Sequence, residues 1–350
     1  MPDLAPQSPH PTPPPPSRPL RATRGFVDAL RGSTLAVASR QDSVLLLIGV
    51  VDDEIRATPV RMPSPMGLAI DGSAMAVGTA MAIRIFQDVT SDDPAQATFL
   101  PVAMHVTGAA SVHEVGWDTR GELWFVNTQF SALCRTDGRS HFRMEWVPEF
   151  VPEPTLGDCC HLNGMALGPD GPRFATALAA TGTREGWREF APDGGVLICT
   201  QRGVVLSDLS MPHSPLLHDG ALWLLESGHG RLLRVETGDA RARAVTQIPG
   251  LLRGLDIQGT HAFIGLSQLR PGSSAITDVL ARRLHPHDIC RVYVADTCSG
   301  ELLGHAEVPG VAEIASVRVI GRPAVRLLQP DNLQTARTFV YAQRPSLQVE

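Results

Sequence analysis

Six short apolar segments of this 350-residue chain end in a proline, and each is followed by a new apolar segment. These prolines lie 37 to 64 residues apart, at Pro63, Pro101, Pro148, Pro212, Pro249 and Pro309. Repeats of this length are typical of supersecondary units that are stacked or arranged around an axis. We therefore expect the chain to fold as six similar units.

The segment from Ser214 to Gly250 shows the content of one unit most clearly. Turns rich in Gly and Asp separate four apolar runs, at residues 214–218, 221–226, 231–236 and 244–248. Asp219-Gly220, between the first two runs, is a strong hairpin signal. Four antiparallel strands in about 37 residues are typical of one β-propeller blade.

The first unit, residues 34–63, lacks an inner strand, and a spare apolar run occupies residues 314–320. Pairing these two would close a ring and remove both exposed sheet edges. The sequence therefore predicts an all-β, six-bladed β-propeller, closed by pairing of its N- and C-terminal strands. An open sandwich or two separate β domains is the alternative.

The propeller is expected over residues 25–342, after a disordered Pro-rich tail at 1–24 and before a flexible C-terminus at 343–350. A short helix is expected at 275–284, inside an unusually long connection of the sixth unit. A hydrophobic content of 43% is enough for a substantial core.

Composition excludes several classes of function. The net charge of −6 argues against broad nucleic-acid binding, which needs basic surface to displace counterions. All 30 basic residues are arginines, so no lysine can form a Schiff base.

No apolar run reaches the ~18 residues of a membrane span, and no apolar core of a secretory signal is visible. The six cysteines show no CxxC spacing, and we expect reduced thiols in a cytoplasmic protein.

Aligning the units brings one inner-strand position into register. That position, the ring position, is occupied by Met66, His113, Asn163, His213 and Arg253. Inner strands line the central channel of a propeller, and strand interiors normally favour Val, Ile and aromatic residues. The polar residues at the ring position therefore predict a functional channel. His161 lies two residues before Asn163 and should share its face of the strand.

Three histidines on one axis suggest two kinds of chemistry. His113, His161 and His213 could ligate a divalent metal or iron, because imidazole is a common metal ligand. They could equally perform acid–base work on a substrate, or simply hydrogen-bond to channel water. Glu226, at the end of a second strand, is expected to lean over the same mouth as a catalytic carboxylate. Arg253 and Asn163 are expected to orient a polar or anionic substrate.

Two neighbouring segments leave alternatives open. The run Asp158-Cys-Cys-His161 could hold a metal or a nucleophilic thiol, although buried Cys is usually a small hydrophobic residue. The loop at 182–195 contains Arg184, Trp187 and Arg188, which could form an anion-binding lid or an ordinary solvated loop.

Several of these motifs together resemble an uncharacterised bacterial family, a domain of unknown function. The resemblance covers roughly residues 25–330 and rests on the runs at 160–164 (CHLNG), 186–189 (GWRE), 210–215 (SMPHSP), 252–255 (LRGL) and 265–267 (GLS). It implies a β-propeller without an established activity. More distantly, the architecture is similar to gluconolactonase-like and strictosidine-synthase-like propellers, which implies a metal or acid–base residues at the channel mouth.

Together these features predict a metal-assisted enzyme, of hydrolase, lactonase or isomerase type, that acts on a small polar substrate in the channel. A non-catalytic propeller is the first alternative; it would bind a protein or peptide through its rim loops or Pro-rich tail. A tailoring enzyme for a peptide or natural product is the second.

Overall fold

The computed structural model describes residues 18–90, 93–152, 157–238, 241–269, 275–285 and 287–329. Within these segments none of the helices has the length and hydrophobicity of a membrane span. Strands dominate, and they form six separate sheets of four or five strands each.

The elements follow one another blade by blade. The first blade contains β1 (Arg18–Pro19), α1 (Arg24–Leu30), β2 (Thr34–Ser39), β3 (Val44–Val51) and β4 (Glu54–Arg61). The second contains β5 (Leu68–Asp71), β6 (Ala74–Gly78), β7 (Ala82–Asp88) and β8 (Gln96–Val106). The third contains β9 (Val112–Trp117), β10 (Leu123–Asn127), β11 (Ala132–Arg135) and β12 (Arg143–Trp146), with a 3-10 turn at Thr128–Phe130.

The remaining blades repeat this pattern. The fourth contains β13 (Leu162–Gly168), β14 (Gly171–Ala177), α2 (Trp187–Phe190), β15 (Gly195–Cys199) and β16 (Gly203–Leu209). The fifth contains β17 (Pro212–His218), β18 (Ala221–Glu226), β19 (Arg231–Val235) and β20 (Ala242–Gln247), with a 3-10 turn at Ser227–His229. The sixth contains β21 (Leu251–Gln258), β22 (His261–Ser267), α3 (Ala275–Arg283), β23 (Cys290–Asp296) and β24 (Leu302–Val308). The chain then returns to the first two blades through β25 (Ser316–Ile320) and β26 (Ala324–Leu327).

The ring is closed by β25, which supplies the inner strand that the first unit lacks. It pairs antiparallel with β2, with Val317 opposite Val37, and the first sheet has the order β1-β4-β3-β2-β25. This confirms the predicted six-bladed, strand-closed propeller, and the sandwich and two-domain alternatives are wrong. The predicted helix at 275–284 is also confirmed, as α3.

Two terminal features differ from the sequence prediction. Residues 18–24, assigned to the disordered tail, belong to the propeller: β1 pairs with β4, and Ala22 forms a bridge to Ala306. At the other end β26 adds a parallel outer strand to β8. Both additions cover edges of outer strands that would otherwise be exposed. Residues 1–17 and 330–350, which include the rest of the predicted tail and the predicted flexible C-terminus, lie outside the described residues.

The hydrophobic core lies between the blades. Six clusters of buried side chains each join two neighbouring sheets. Each sheet packs against the preceding blade with one face and against the following blade with the other. At the closure, for example, Phe26 of α1 meets Phe263 of β22 edge to face, with ring centroids 6.0 Å apart and both rings fully buried. The six blades therefore hold the channel walls at fixed positions.

Small residues let the inner strands approach each other around the channel. A Cβ at Gly164 would lie 2.4 Å from Cδ of Pro215, in the next inner strand. A Cβ at Gly254 would lie 2.8 Å from the backbone nitrogen of Val317, and its φ of +79° also favours glycine. Both glycines directly follow a ring position, so close strand packing fixes where the ring residues lie.

Candidate functional site

A cavity of about 400 Å³ lies where the six inner strands begin. Its volume is near the lower end of the range for small-molecule sites. Every blade contributes at least one residue from the start of its inner strand, or from just before it, to the wall; in blade order these include Glu313, Met66, His113, His161, His213 and Arg253. The structure thus brings the three predicted histidines and Arg253 together.

His113 and Arg253 form the centre of the polar wall. Nη2 of Arg253 lies 3.0 Å from Nε2 of His113, so the guanidinium donates to a neutral imidazole. Burial, and then the charge of Arg253, holds the pKa of His113 well below its usual range. Nη1 of Arg253 also lies 3.8 Å from the carboxylate of Glu313, which is 2% exposed. These contacts fix the guanidinium at the cavity wall.

The side chain of His213 is hydrogen-bonded to the backbone just before its own strand, β17. Its Nδ1 lies 3.0 Å from the carbonyl oxygen of Met211, so Nδ1 carries the proton and donates it. Burial, followed by the charge of Arg253, lowers the pKa of His213 well below its usual range. Its ring centroid lies 5.8 Å from that of His113. At neutral pH both buried histidines are therefore uncharged.

His161 differs from the other two histidines because it has a carboxylate partner. Its Nδ1 lies 2.7 Å from Oδ2 of Asp158, and the side chains of both residues line the cavity. About a quarter of the His161 side chain is exposed. Its ring lies 4.5 Å from that of Trp187 and 5.7 Å from that of His113. A carboxylate on Nδ1 fixes the tautomer and leaves Nε2 as the basic nitrogen.

The backbone at the strand entries is unusual in four blades. Ser64, Ser111, His161 and Met211, each two residues before a ring position, have φ between 46° and 51°. Left-handed backbone costs a non-glycine residue about 1–2 kcal/mol, and such strain is common at functional sites. Three of the four residues line the cavity. In the fourth blade the left-handed residue is His161 itself, and it lines the cavity in place of the ring residue.

Two predicted site residues lie outside the cavity wall. Asn163 is 1% exposed, and its Oδ1 accepts a hydrogen bond from Thr176 at 2.7 Å. The pairing of β13 with β14 shifts between Leu162 and Gly164, so the alternation that was expected to place Asn163 beside His161 is broken. Glu226 accepts from the backbone nitrogen of Ser210, at 3.1 Å, and is likewise not among the described residues that line the cavity.

A buried network of charged residues links the inner strands β9, β21 and β25. Nη2 of Arg318 donates to Glu114 at 2.7 Å, and Asp256 accepts from the backbone nitrogen of Val319 at 2.7 Å. Burial raises the pKa of Glu114 to about 7 and raises that of Asp256, with Arg318 opposing both shifts. Glu114 follows His113 directly, and of these two neighbours only His113 is among the described residues that line the cavity.

Two short helices cover the mouth of the cavity. Trp187 and Arg188 of α2 line it, with the Arg188 guanidinium 4.4 Å from the Trp187 ring centre, whereas Arg184 is not among its described lining residues. Ile276 and Leu280 of α3 line it from the other side. Arg283, in the last turn of α3, donates to both oxygens of Asp193, at 2.7 and 2.9 Å, and so joins α3 to the loop after α2.

The paired cysteines are structural. Cys159 and Cys160 are 1% and 0% exposed and pack in the core between the third and fourth blades. Burial raises the pKa of the Cys160 thiol to about 12, so this sulfur is protonated at neutral pH. A protonated, buried thiol is a poor nucleophile. The burial of both cysteines does not favour the nucleophile hypothesis for this motif, which stays a prediction.

The arrangement does not fit a three-histidine metal centre. Among the residues that the structure describes, no three His, Cys, Asp or Glu side chains are grouped to hold a metal ion. A cation on Nε2 of His113 would also meet the positive guanidinium of Arg253, 3.0 Å from that nitrogen. Metal binding by His113, His161 and His213 stays a prediction that this geometry does not favour.

Sequence reasoning missed Glu313, Arg40 and the apolar residues of α3. Glu313 precedes β25, the first blade's inner strand, which comes from another part of the chain and could not be aligned with the other units. The contact between Asp158 and His161 could have been inferred from their spacing of three residues in the sequence.

Comparison with solved structures agrees with the fold. The chain is similar to a chain in the crystal structure of a nidogen/laminin complex, with 9% identity and a TM-score of 0.55, over 83% of this chain and 99% of that one. It is also similar to a protein of unknown function from Bacteroides caccae, with 12% identity and a TM-score of 0.53, over 82% and 98%. At such identities the likeness concerns the fold alone. No curated protein matches the sequence at a significant level.

The sequence also matches the model of a protein family. The model matches residues 25–326, which is nearly the whole propeller, and the motif-based resemblance to an uncharacterised family agrees with it. The chain therefore belongs to the family described as domain of unknown function DUF4915.

Proposed function

We propose that the cavity is an active site in which His161, held by Asp158, acts as general base and general acid on a small polar molecule. The observation that supports this best is the 2.7 Å contact between Nδ1 of His161 and the Asp158 carboxylate, at the wall of a cavity of suitable size. A carboxylate so placed orients the imidazole and stabilises the imidazolium that forms when Nε2 takes a proton.

The neighbouring residues suit a reaction that develops negative charge on oxygen. Arg253 presents a fixed guanidinium on the same wall, and such a donor stabilises an oxyanion in a site with little water. His113 and His213 are neutral at pH 7, so neither adds positive charge that would disfavour an imidazolium at His161. Proton transfer by His161, with Arg253 lining the same cavity, would serve lactone or ester hydrolysis, and equally an isomerisation through an enolate.

The test is a screen of lactones, esters and hydroxy or keto acids in ¹⁸O-labelled water and in D₂O, followed by mass spectrometry. A hydrolase would place ¹⁸O in the product, and an isomerase would exchange a carbon-bound hydrogen for deuterium. We expect His161→Asn to lower kcat by about 10²–10⁴-fold, and Asp158→Asn also to lower it. His141→Asn, at an exposed histidine on the connection between β11 and β12, is the matched control. Full activity of His161→Asn would reject the proposal.

The metal-assisted version is tested separately. Elemental analysis of protein purified without a metal-affinity column should detect no stoichiometric metal if the donor set is as described. Stoichiometric zinc, iron or manganese that is lost in His113→Gln and His213→Gln would reverse that interpretation and restore the metal hypothesis.

The other two predicted functions stay predictions. A protein partner would contact the rim loops or the N-terminal tail, and residues 1–17 of that tail lie outside the described residues. His213→Ala should leave capture of such a partner intact but alter any chemistry in the cavity. No residue of the cavity distinguishes a tailoring enzyme from a hydrolase.

A further inference from the structure

The cavity has two walls of opposite character. One wall is the polar ring of inner-strand residues. The other is a seventh hydrophobic cluster, separate from the six between the blades, in which Leu178 and Trp187 are buried and Met211 and Ile276 pack against them. We call Leu178, Trp187, Met211 and Ile276 the mouth cluster. All four line the cavity, so a bound molecule meets an apolar surface on the side facing the helices.

The mouth cluster is assembled from distant parts of the chain. Leu178 follows β14, Trp187 begins α2, Met211 precedes β17 and Ile276 belongs to α3. The link from Arg283 to Asp193 and to Oγ of Ser210, the latter at 2.8 Å, holds α3 against this surface. An apolar surface that lines a cavity gains free energy when a ligand covers it, at roughly 25 cal/mol per Å².

The charges of the lining favour an anion. Three arginines, Arg40, Arg188 and Arg253, line the cavity with two carboxylates, Asp158 and Glu313. Arg188 also pairs at 3.2 Å with Glu185, which lies outside the lining, but both side chains are more than half exposed and solvent screens that pair. The lining itself has one more guanidinium than carboxylates, before any histidine is counted. A single negative charge on the ligand would balance this excess, whereas a dianion would exceed it and a cation would add to it.

From these two walls we infer that the cavity binds a small amphipathic monocarboxylate: its carboxylate lies at Arg253 and its ring or branched chain packs against the mouth cluster. The inference rests on the proposed function in that it names the substrate class of the same site. It predicts that the acyl part of a lactone or ester substrate is apolar, and that sugar-like polyols are poor ligands.

The test measures binding to the intact protein by isothermal titration calorimetry with matched probes. 3-Phenylpropanoate and 4-methylpentanoate have both features, propanoate has only the charge, and 3-phenylpropan-1-ol has only the ring. We expect the first two to bind at least about tenfold more tightly than either of the others, because each feature contributes ~1.4 kcal/mol or more. Equal binding of propanoate would overturn the apolar part of the inference, and equal binding of the alcohol would overturn the anionic part. Failure of both monocarboxylates to bind would overturn all of it.

Variants locate the two contacts. Arg253→Met should weaken 3-phenylpropanoate about tenfold without affecting the alcohol, while Ile276→Asn should weaken the ring-bearing probes and leave propanoate unchanged. Arg139→Met and Val204→Asn, at exposed positions of the third and fourth blades, are the matched controls. If a variant unfolds, the wild-type probe series alone still decides the question. His161→Asn should keep binding within about threefold, so that loss of the acid–base proposal would be distinguishable from loss of this one.

Discussion

Replacing His113 by glutamine should make the protein less sensitive to mild acid. In the unfolded chain an imidazole takes up a proton as the pH falls past about 6.5, whereas native His113 stays neutral because its pKa is held well below that value. The unfolded state then binds more protons than the native state. Stability due to this residue is therefore lost as the pH falls, beginning near the unfolded pKa.

The size of the effect follows from this difference. Between about pH 7.5 and about pH 5.5, one histidine that stays neutral in the native state costs ~1.4 kcal/mol of unfolding free energy. His213 behaves in the same way, so the two together cost ~3 kcal/mol. Glu114 has the opposite effect, because its pKa of about 7 in the native state is higher than in the unfolded chain. As the pH falls, the native state takes up this proton first, which stabilises it by ~2 kcal/mol and offsets part of the loss from the histidines.

The measurement is urea unfolding at both pH values, followed by tryptophan fluorescence. For wild-type protein and for His113→Gln this gives the change in unfolding free energy between the two pH values, and on acidification that change should be ~1.4 kcal/mol more favourable in the variant. Glutamine can still accept a hydrogen bond from Arg253. His141→Gln, at an exposed histidine, should behave as wild type. An identical change in wild type and His113→Gln would refute the assignment of His113 as a neutral acceptor.

Two further predictions concern the interior. Arg318→Met removes the counter-charge of buried Glu114, and we expect urea unfolding to show a loss of about 3–5 kcal/mol. Adding Glu114→Gln should recover part of it, and a double variant no more stable than the single one would contradict the pairing. Iodoacetamide should label exposed Cys298 on native protein but Cys134 and Cys160 only after denaturation, because burial raises the pKa of both thiols to about 12. Mass spectrometry checks this, and native labelling of Cys160 would count against the described core.

The repeat made most of the fold predictable. Each blade is contiguous in sequence, so apolar runs and turn residues predict its strands, and β18 falls on the residues expected. The closing strand could be inferred because the first unit had too few strands and the C-terminal part had one too many. The helix α1 was missed, since seven residues with three buried side chains give too short a periodic signal.

The candidate site was less predictable, because it depends on backbone details that hydrophobic patterns do not encode. Strict alternation would place His161 and Asn163 on one face. The pairing of β13 with β14 shifts between Leu162 and Gly164, and this breaks the alternation. Glu313 could not be found by aligning units. It precedes the one inner strand that is supplied from another part of the chain.

The return of β25 to the first blade has a consequence for how the protein is made. Five blades can form as soon as their own contiguous residues leave the ribosome. β2 must wait for β25, which is synthesised after β24, the last strand of the sixth blade, and until then the edge of β2 has no inner neighbour. An edge strand open during translation is a site for wrong pairing with other nascent chains. A chain truncated before β25 would therefore have five complete blades and an unpaired edge at β2. We expect chaperones and proteases to recognise this edge.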